Sequence, residues 1–468
     1  MDLLYSIMLD KNSPLPLYQQ LAESILVLIE EGKLSPGDKL PPIRKLAKHI
    51  SVNNITVVNA YKHLESKKIL RSYIGRGTFV SDTPDFKKSK YGALIDYDFD
   101  LKNAINFAKS NVSTEFFPVN AFKDAFNKIL ERDCGNAFLY HESKGHLPLI
   151  TEICKDLQRY NINASEEDIQ IISGIRLGVN IVAKALLSEG DTVIVEQPSY
   201  YAAMGALYPH KVILNPVEIL EDGMDLNKLE AQLKISRPKL ICITSYFQTP
   251  TCYSYSLEKK KSLLKLAQKY NLYIMEEDSL SEFNYSDKKI VPLKALDDDD
   301  RVILIKSYSG RTMQGLNISA LIAPQNVMSR ISPPIDRDIG AVGFIQRAFA
   351  LFLSSGEYYT HMEHMREVMK ERYLAAINAA AAYLTPYAAY TISPLGGLNI
   401  WLKLKSENIS IDVLSQRLLA ENIIIIPGIL YDMKNEDIPY FMLCFAGVKT
   451  KDIEFGIKKI AKCIQEME

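Results

Sequence analysis

A short turn, KSYSGRTMQGLN, follows the apolar segment RVILI and contains side chains that suggest chemistry on a bound molecule. Lys306 is its only amine, and amines form Schiff bases with carbonyl compounds. This lysine falls at the end of the predicted strand, before the turn itself. Arg311 lies in the turn, but its guanidinium stays protonated and cannot form a Schiff base. Between them, Gly310 offers no side chain.

A second candidate is the pair His361 and His364, one helical turn apart in YYTHMEHMREVMKERY. Two histidines at this spacing can in principle bind a metal ion. Only Glu363 accompanies them at a suitable spacing, so we favour a helix surface and predict no metal site. The six cysteines are far apart and form no CxxC pair, which argues against a zinc site or a disulfide framework and favours a reducing cytoplasm.

The composition is that of an ordinary globular protein with more than one domain. The chain has 468 residues, of which 47% are hydrophobic and 24% charged. The first residues, MDLLYSIMLDKN, do not resemble a signal peptide. No apolar run reaches the roughly 20 residues that span a membrane. We therefore expect a cytoplasmic protein without a membrane partner.

Basic residues are concentrated near the N-terminus, although the net charge of the whole chain is only −1. From Lys33 to Arg76 there are ten Lys/Arg and two acids, Asp38 and Glu65. A basic block of this kind is typical of a surface that contacts phosphates. A solvated basic face is the alternative.

The same region predicts three helices followed by two short strands. Apolar residues recur at helical spacing in PLYQQLAESILVLIEEGKL, PPIRKLAKHI follows a Ser-Pro-Gly turn, and NNITVVNAYKHLESKKIL forms the third helix. LRSYIGRGTFVSD then predicts two strands around Gly75–Gly77. This order is that of a winged helix-turn-helix, whose third helix enters the major groove of DNA.

PLYQQL, GDKLPPIRKLA, VNNITVVNAYKHLE and GRGTFV together resemble the GntR-type DNA-binding domain, which we assign to residues 1–82. Members of that family usually carry arginine at the position of Asn54 and often also at that of Asn59. Because asparagine pairs bidentately with adenine whereas arginine prefers guanine, we expect an unusual operator of double-stranded DNA. The resemblance implies DNA contacts from Arg44, Asn53, Asn54, Thr56, Asn59, Arg76 and Gly77.

Residues 83–103 show neither helical nor strand periodicity and are interpreted as a linker. From residue 104 to 468 short apolar strands alternate with helices, the pattern of an α/β domain with a largely parallel central sheet. The predicted strands are EDIQIISG, DTVIVEQ, KVILNPV, KLICITS, LYIMEED and RVILIKS.

This second region contains the segments YHESKG, EQPSYY, IMEEDSLSEFNY, the opening turn and PLGGLNIWL, in that order. These landmarks resemble a fold-type-I aminotransferase, and the whole chain is similar to the MocR (GabR-like) subfamily of GntR regulators. The resemblance implies a smaller C-terminal α/β subdomain and large domains that pair into a homodimer. It also implies a pocket that binds pyridoxal phosphate through a lysine.

The residues of this chain at the family's cofactor positions are altered. Gly310 stands where the family has its Schiff-base lysine, and Asn317 replaces an arginine that binds the cofactor phosphate. Glu277 and Ser279 replace an aspartate and a tyrosine that contact the cofactor ring, and Met442 replaces an arginine that binds substrate. Ile175 supplies no side-chain hydrogen-bond donor in the loop that binds the cofactor phosphate in the family. The remaining vestigial pocket is assigned to Tyr200, Glu277, Ser307, Ser309, Arg176 and Asn317.

These losses predict no enzymatic activity and no pyridoxal phosphate. We expect a transcription regulator whose aminotransferase-like domain mediates dimerisation and possibly senses an unknown small-molecule effector. One alternative is a pyridoxal-phosphate protein that uses Lys306 or another lysine. Another is a scaffold that binds no ligand, and core or surface roles for Tyr200, Glu277 and Arg176 are compatible with it.

Overall fold

A computed structural model describes the chain except for residues 1, 6, 8, 10–15, 31–32, 35–36, 67–68, 74–76, 82–103, 140–142, 200–203, 332–341 and 434–437. The chain divides into two compact units, Met1–Asp100 and Leu101–Glu468. The predicted linker, residues 83–103, lies outside the described residues, so its boundaries remain a prediction.

The N-terminal unit has the three predicted helices and two predicted strands in the predicted order, preceded by a short helix that was not predicted. Its core is formed by the apolar stripes of the helices, including Leu21 and Ile25 of the second helix and Val57 and Leu64 of the fourth, all fully buried. The two strands pair antiparallel as a wing. Its elements are α1 (Asp2–Tyr5), α2 (Leu17–Glu30), α3 (Ile43–His49), α4 (Asn54–Ser66), β1 (Leu70–Tyr73) and β2 (Gly77–Val80).

The larger unit is built on an eight-stranded sheet in the order β4-β11-β10-β9-β8-β5-β6-β7. β10, β9, β8, β5 and β6 are mutually parallel, whereas β11 and β7 run antiparallel to their neighbours. All six predicted strands are present, which confirms the largely parallel sheet. The strands are β4 (Ile169–Ile172), β5 (Thr192–Gln197), β6 (Ile213–Leu220), β7 (Gly223–Met224), β8 (Leu240–Thr244), β9 (Tyr273–Asp278), β10 (Val302–Ser307) and β11 (Ser319–Ile322).

Helices cover both faces of this sheet, because its strands are apolar on both sides. Two separate hydrophobic clusters result, one around Val182 and Ile305 and the other around Ile241 and Leu263. The helices of the larger unit are α5 (Val119–Asp133), α6 (Leu147–Gln158), α7 (Ile175–Leu186), α8 (Leu226–Ser236), α9 (Leu257–Tyr270), α10 (Gln325–Ile331), α11 (Gly343–Ser354), α12 (Glu357–Ala379), α13 (Ile411–Ala420) and α14 (Thr450–Gln465). Among the described residues, no helix has both the length and the apolarity needed to cross a membrane.

A smaller C-terminal subdomain follows α12, as predicted. Its four-stranded antiparallel sheet has the order β12-β13-β16-β15. A short parallel pair, β3 with β14, joins the beginning of the larger unit to this subdomain. The strands are β3 (Ile105–Asn106), β12 (Ala388–Thr391), β13 (Asn399–Leu404), β14 (Ile423–Ile424), β15 (Ile426–Pro427) and β16 (Tyr440–Cys444).

Candidate functional site

The turn after β10 is held together by two serine hydroxyl groups. The Gly310 N–H donates to Ser307 Oγ at 3.1 Å, and the Ile318 N–H donates to Ser309 Oγ at 2.8 Å. A Cβ atom added at Gly310 would lie 2.5 Å from Ser307 Oγ. Ser307 and Ser309 therefore stabilise the backbone of the turn, and the Ser307 hydroxyl lies where a side chain at residue 310 would begin.

Lys306 lies on the opposite face of the sheet from Glu277. In the parallel pairing of β10 with β9, Lys306 is opposite Asp278 and Ile305 is opposite Glu277. Side chains of successive strand residues point to opposite faces, so Lys306 shares a face with Asp278 and not with Glu277. The alternative in which Lys306 forms the Schiff base therefore places the amine on the other face of the sheet from Glu277.

Lys306 is also fully engaged in an ion cluster. Its Nζ lies 3.3 Å from Asp278 Oδ2 and 3.5 Å from Glu282 Oε1, and its side chain is 3% exposed. Burial disfavours its charged form, but the charges around it, Asp278 foremost, prevail and hold the pKa of Lys306 well above its usual range. The amine is thus protonated, whereas attack on a carbonyl needs the neutral form.

Thr244 of β8 contacts two carboxyl groups, Glu277 of β9 and Glu196 of β5. The Thr244 hydroxyl donates to Glu277 Oε2 at 3.0 Å, and the Thr244 N–H donates to Glu196 Oε2 at 3.2 Å. Alternation along the paired strands puts the two side chains on different faces of the sheet. Burial raises the pKa of both groups, that of Glu196 to about 8, so Glu196 is mostly protonated at neutral pH. A cavity of about 20 Å³ is lined in part by both residues.

Glu196 escaped the sequence analysis, although a signal was present. It is the one charged residue within the apolar segment TVIVEQ, and it is 3% exposed. Its other oxygen accepts a hydrogen bond from the Tyr255 hydroxyl at 2.7 Å. A carboxyl group inside a buried strand needs such partners, because an unpaired one is costly to bury.

The beginning of α7 contains the residues assigned to the phosphate loop. Gly174 precedes the helix with φ of 82°, and a Cβ atom there would collide with the Asn317 side-chain oxygen. Asn317 itself adopts a left-handed backbone at the end of the turn. Its carboxamide therefore lies against the start of α7, where helix N–H groups favour anions. Arg176 is exposed in the first turn of the same helix, and Ile175 is its first residue.

The remaining residues predicted at the cofactor positions do not share one environment. Met442 is buried in β16, between Trp401 and Ile426 in the sheet of the subdomain. The Ser279 hydroxyl interacts with Glu277 and opposes the rise in the pKa of Glu277. Tyr200 lies outside the described residues.

The interpretation of His361 and His364 as a helix surface was wrong for His361. This residue is 8% exposed, and its Nε2 atom has no hydrogen-bond partner among the described residues. Burial and the neighbouring His364 lower the pKa of His361 to about 4. His361 belongs to the buried stripe of α12 with Met365 and Met369, at intervals of four residues. No group of three or more potential metal ligands occurs among the described residues.

In the N-terminal unit, the predicted DNA-contacting residues lie on α3, α4 and the wing. Arg44 is exposed on α3 and forms no ion pair with another described residue. Asn54 and Asn59 are exposed on α4. Gly77 begins β2 with φ of 111°, and a Cβ atom there would lie 2.9 Å from Lys39 Cε. Arg76 lies outside the described residues.

Asn53 and Thr56 have a structural role at the start of α4. Asn53 Oδ1 accepts hydrogen bonds from both the N–H and the hydroxyl group of Thr56, each at 2.7 Å. This is a helix N-cap, in which a side-chain oxygen satisfies a free N–H of the first turn. The carboxamide oxygen of Asn53 is therefore already occupied, although its NH₂ group is not used by this cap.

Comparison with known proteins assigns the larger unit. A family model described as aminotransferase class I and II matches residues 102–460. The chain belongs to this family. A second model, described as bacterial regulatory proteins of the gntR family, matches residues 17–80.

Members of the aminotransferase family that resemble the chain include both enzymes and regulators. The multiple substrate aminotransferase of Thermococcus profundus has a TM-score of 0.75 and 25% identity, covering 81% of this chain and 95% of that structure. The HTH-type transcriptional regulator YdfD of Bacillus subtilis is 27% identical over 98% of each chain. The probable rhizopine catabolism regulatory protein MocR of Rhizobium meliloti is 25% identical over 78% of this chain and 77% of its own length. The two-part organisation is thus shared with regulators, and the larger unit with enzymes.

Proposed function

We propose that this protein is a transcription regulator of the MocR type that binds operator DNA through its N-terminal unit. The proposal rests chiefly on Arg44, an exposed guanidinium without an ion-pair partner among the described residues, on the helix preceding the exposed asparagines of α4. Phosphate and base contacts require cationic and amide groups of this kind. The matches to the gntR model and to named regulators support it. Such a protein would act in the cytoplasm.

We further propose that the aminotransferase-like domain has no transaminase activity. Proteins of this fold normally bind pyridoxal phosphate, but the residues present here do not fit its covalent attachment. Gly310 has no amine, and Lys306 is buried with Asp278 and Glu282 on the other face of the sheet. Asn317 places a neutral carboxamide at the start of α7, which supplies no charge for a phosphate. The same geometry disfavours the alternative enzyme based on Lys306.

We propose that the aminotransferase-like domain senses a small-molecule effector. Such a ligand would act by favouring one arrangement of the protein over another.

We also propose that the larger unit forms a homodimer. Helix-turn-helix proteins commonly bind two half-sites as dimers. An apolar groove of about 430 Å³ on the larger unit supports the proposal. It is lined by Phe117, Val119, Phe122, Phe126, Met313 and Leu316, and we call these residues the apolar surface.

The DNA-binding proposal is tested by substituting Arg44. The full-length Arg44→Ala variant is expected to lose most of its affinity for DNA upstream of its own gene. The slope of log K against log salt concentration should fall by about one for each phosphate contact removed. Arg330→Ala, which removes an exposed arginine from α10 of the larger unit, is the matched control. Equal affinity and slope for wild type and Arg44→Ala would contradict the proposal.

A further inference from the structure

The exposed side of α4 includes a row of three residues, Ile55, Asn59 and Lys62. Val57, Ala60, Tyr61 and Leu64 are buried against the core. Ile55, Asn59 and Lys62 are exposed and follow one another at intervals of four and three residues. Residues at these intervals lie on one side of a helix. The row therefore begins with an apolar side chain and continues with an amide and a cation.

Ile55 is unusual for a residue in such a row. It is 66% exposed, compared with 47% for Val27 and 44% for Tyr73, the other large apolar residues exposed among the described residues of this unit. The Asn53 cap fixes the backbone of the turn that carries it. A β-branched side chain in a helix has one strongly preferred rotamer. Ile55 thus presents a stiff apolar group beside polar ones.

We propose that Ile55 determines sequence specificity by packing against the 5-methyl group of a thymine in the major groove. Thymine is the base that offers a methyl group there. Asn59, one helical turn further along, has the side chain that pairs bidentately with adenine, and Lys62 is placed for a phosphate. The preferred half-site therefore contains A·T pairs opposite this row. This inference rests on the proposed DNA-binding function and specifies the DNA that it recognises.

The test uses full-length protein and begins with selection from a random pool of DNA duplexes. We expect the enriched half-sites to contain thymine at a fixed position. That thymine is then replaced by deoxyuridine, which removes the methyl group alone. Wild type should bind the deoxyuridine duplex about fourfold more weakly, the effect of one buried methyl group.

The Ile55→Ala variant, measured with the same two duplexes, completes a double-mutant cycle of protein and DNA. It should bind the thymine duplex about as weakly as wild type binds the deoxyuridine duplex, and it should no longer distinguish the two. Val27→Ala shortens an exposed β-branched residue of α2 and should keep the wild-type preference. Because Ile55 is exposed, its truncation leaves the core intact, which circular dichroism can verify.

Each other outcome overturns the inference. Salt-dependent binding without a thymine preference, or a preference that survives in Ile55→Ala, contradicts the role of Ile55 and leaves the DNA-binding proposal standing. Absence of salt-dependent binding to any duplex contradicts both. The two failures are therefore distinguishable in one series of titrations.

Discussion

At the scale of single residues, the turn after β10 has no amine at residue 310, and carboxyl groups lie on other strands of the sheet. Thr244 donates one hydrogen bond to Glu277 and one to Glu196. The Ser307 hydroxyl accepts a hydrogen bond from the backbone of Gly310. Acid–base groups without an amine cannot hold a carbonyl compound covalently, so carboxyl groups do not by themselves imply catalysis.

The absence of an amine at residue 310 predicts the outcome of a labelling experiment. Wild type incubated with pyridoxal phosphate and reduced with borohydride should yield no adduct on the peptide that contains the turn. The double variant Gly310→Lys/Ser307→Ala supplies the amine and removes the hydroxyl that lies 2.5 Å from an added Cβ. We expect an adduct on residue 310 of this variant, detected by mass spectrometry. An adduct on Lys306 of wild type would contradict the assignment.

Lys306 is predicted to stabilise the fold. Lys306→Met removes the cation from Asp278 and leaves Glu282 with the more distant Arg366, at 3.8 Å, and breaking a buried ion pair costs about 3–5 kcal/mol. Urea unfolding of the larger unit should show this loss. The control Lys211→Met breaks an ion pair with Glu189 whose side chains are both 69% exposed, and it should cost less than about 1 kcal/mol. Similar losses for the two variants would contradict the buried role.

At the scale of elements, α12 carries a histidine that its environment keeps neutral. His361 lies in the buried stripe of the helix, and its ring centre is 6.3 Å from that of Phe352. Its Nε2 atom has no hydrogen-bond partner in the part of the chain that the structure describes. A proton added to this ring would place an unpaired charge among apolar groups, so α12 packs best when the histidine is neutral.

This burial makes the stability of the larger unit depend on pH. His361 has a folded pKa of about 4, below the ordinary value of 6.5, so between these values the unfolded state binds a proton that the folded state excludes. The contribution of His361 to the free energy of unfolding is constant above pH 6.5. It becomes destabilising as the pH falls, by up to about 3 kcal/mol near pH 4. Urea titrations at pH 7 and pH 5 should show a smaller pH effect in His361→Leu than in wild type. An unchanged pH effect would contradict this role.

At the scale of the whole molecule, the sequence predicted the architecture better than it predicted contacts. The apolar strands and the three helices before the wing could be predicted because their periodicity reflects burial directly. The face of the sheet on which Lys306 lies could not be predicted. Strands that are buried on both sides show no polar alternation, and the face follows from the register of β10 with β9. Similarly, the cap formed by Asn53 and the hydrogen bonds of Thr244 to Glu196 and Glu277 depend on distances that the sequence does not show. The burial of His361 could have been predicted from the sequence, because His361, Met365 and Met369 follow one another at helical spacing.

The apolar surface connects the former active site to the outside of the larger unit. Met313 and Leu316 belong to the stretch that follows Gly310, and Phe122 and Phe126 belong to α5. Phe126 also stacks on Phe344, with ring centres 4.9 Å apart, which extends the aromatic group to α11. A contiguous apolar surface of this kind is typical of an interface. In a homodimer the partner would therefore cover part of the stretch that follows Gly310.

The last prediction tests this interface. Val119 is 68% exposed, and Val119→Asp places a charge on the apolar surface without disturbing the core. The dissociation constant of the dimer should rise by more than about tenfold, because an interface centre that loses packing and must bury a charge is weakened strongly. Ile235→Asp changes an 85% exposed residue of α8 outside the apolar surface and serves as the control. Sedimentation velocity should show monomers for Val119→Asp alone, and a dimer unaffected by Val119→Asp would place the interface elsewhere.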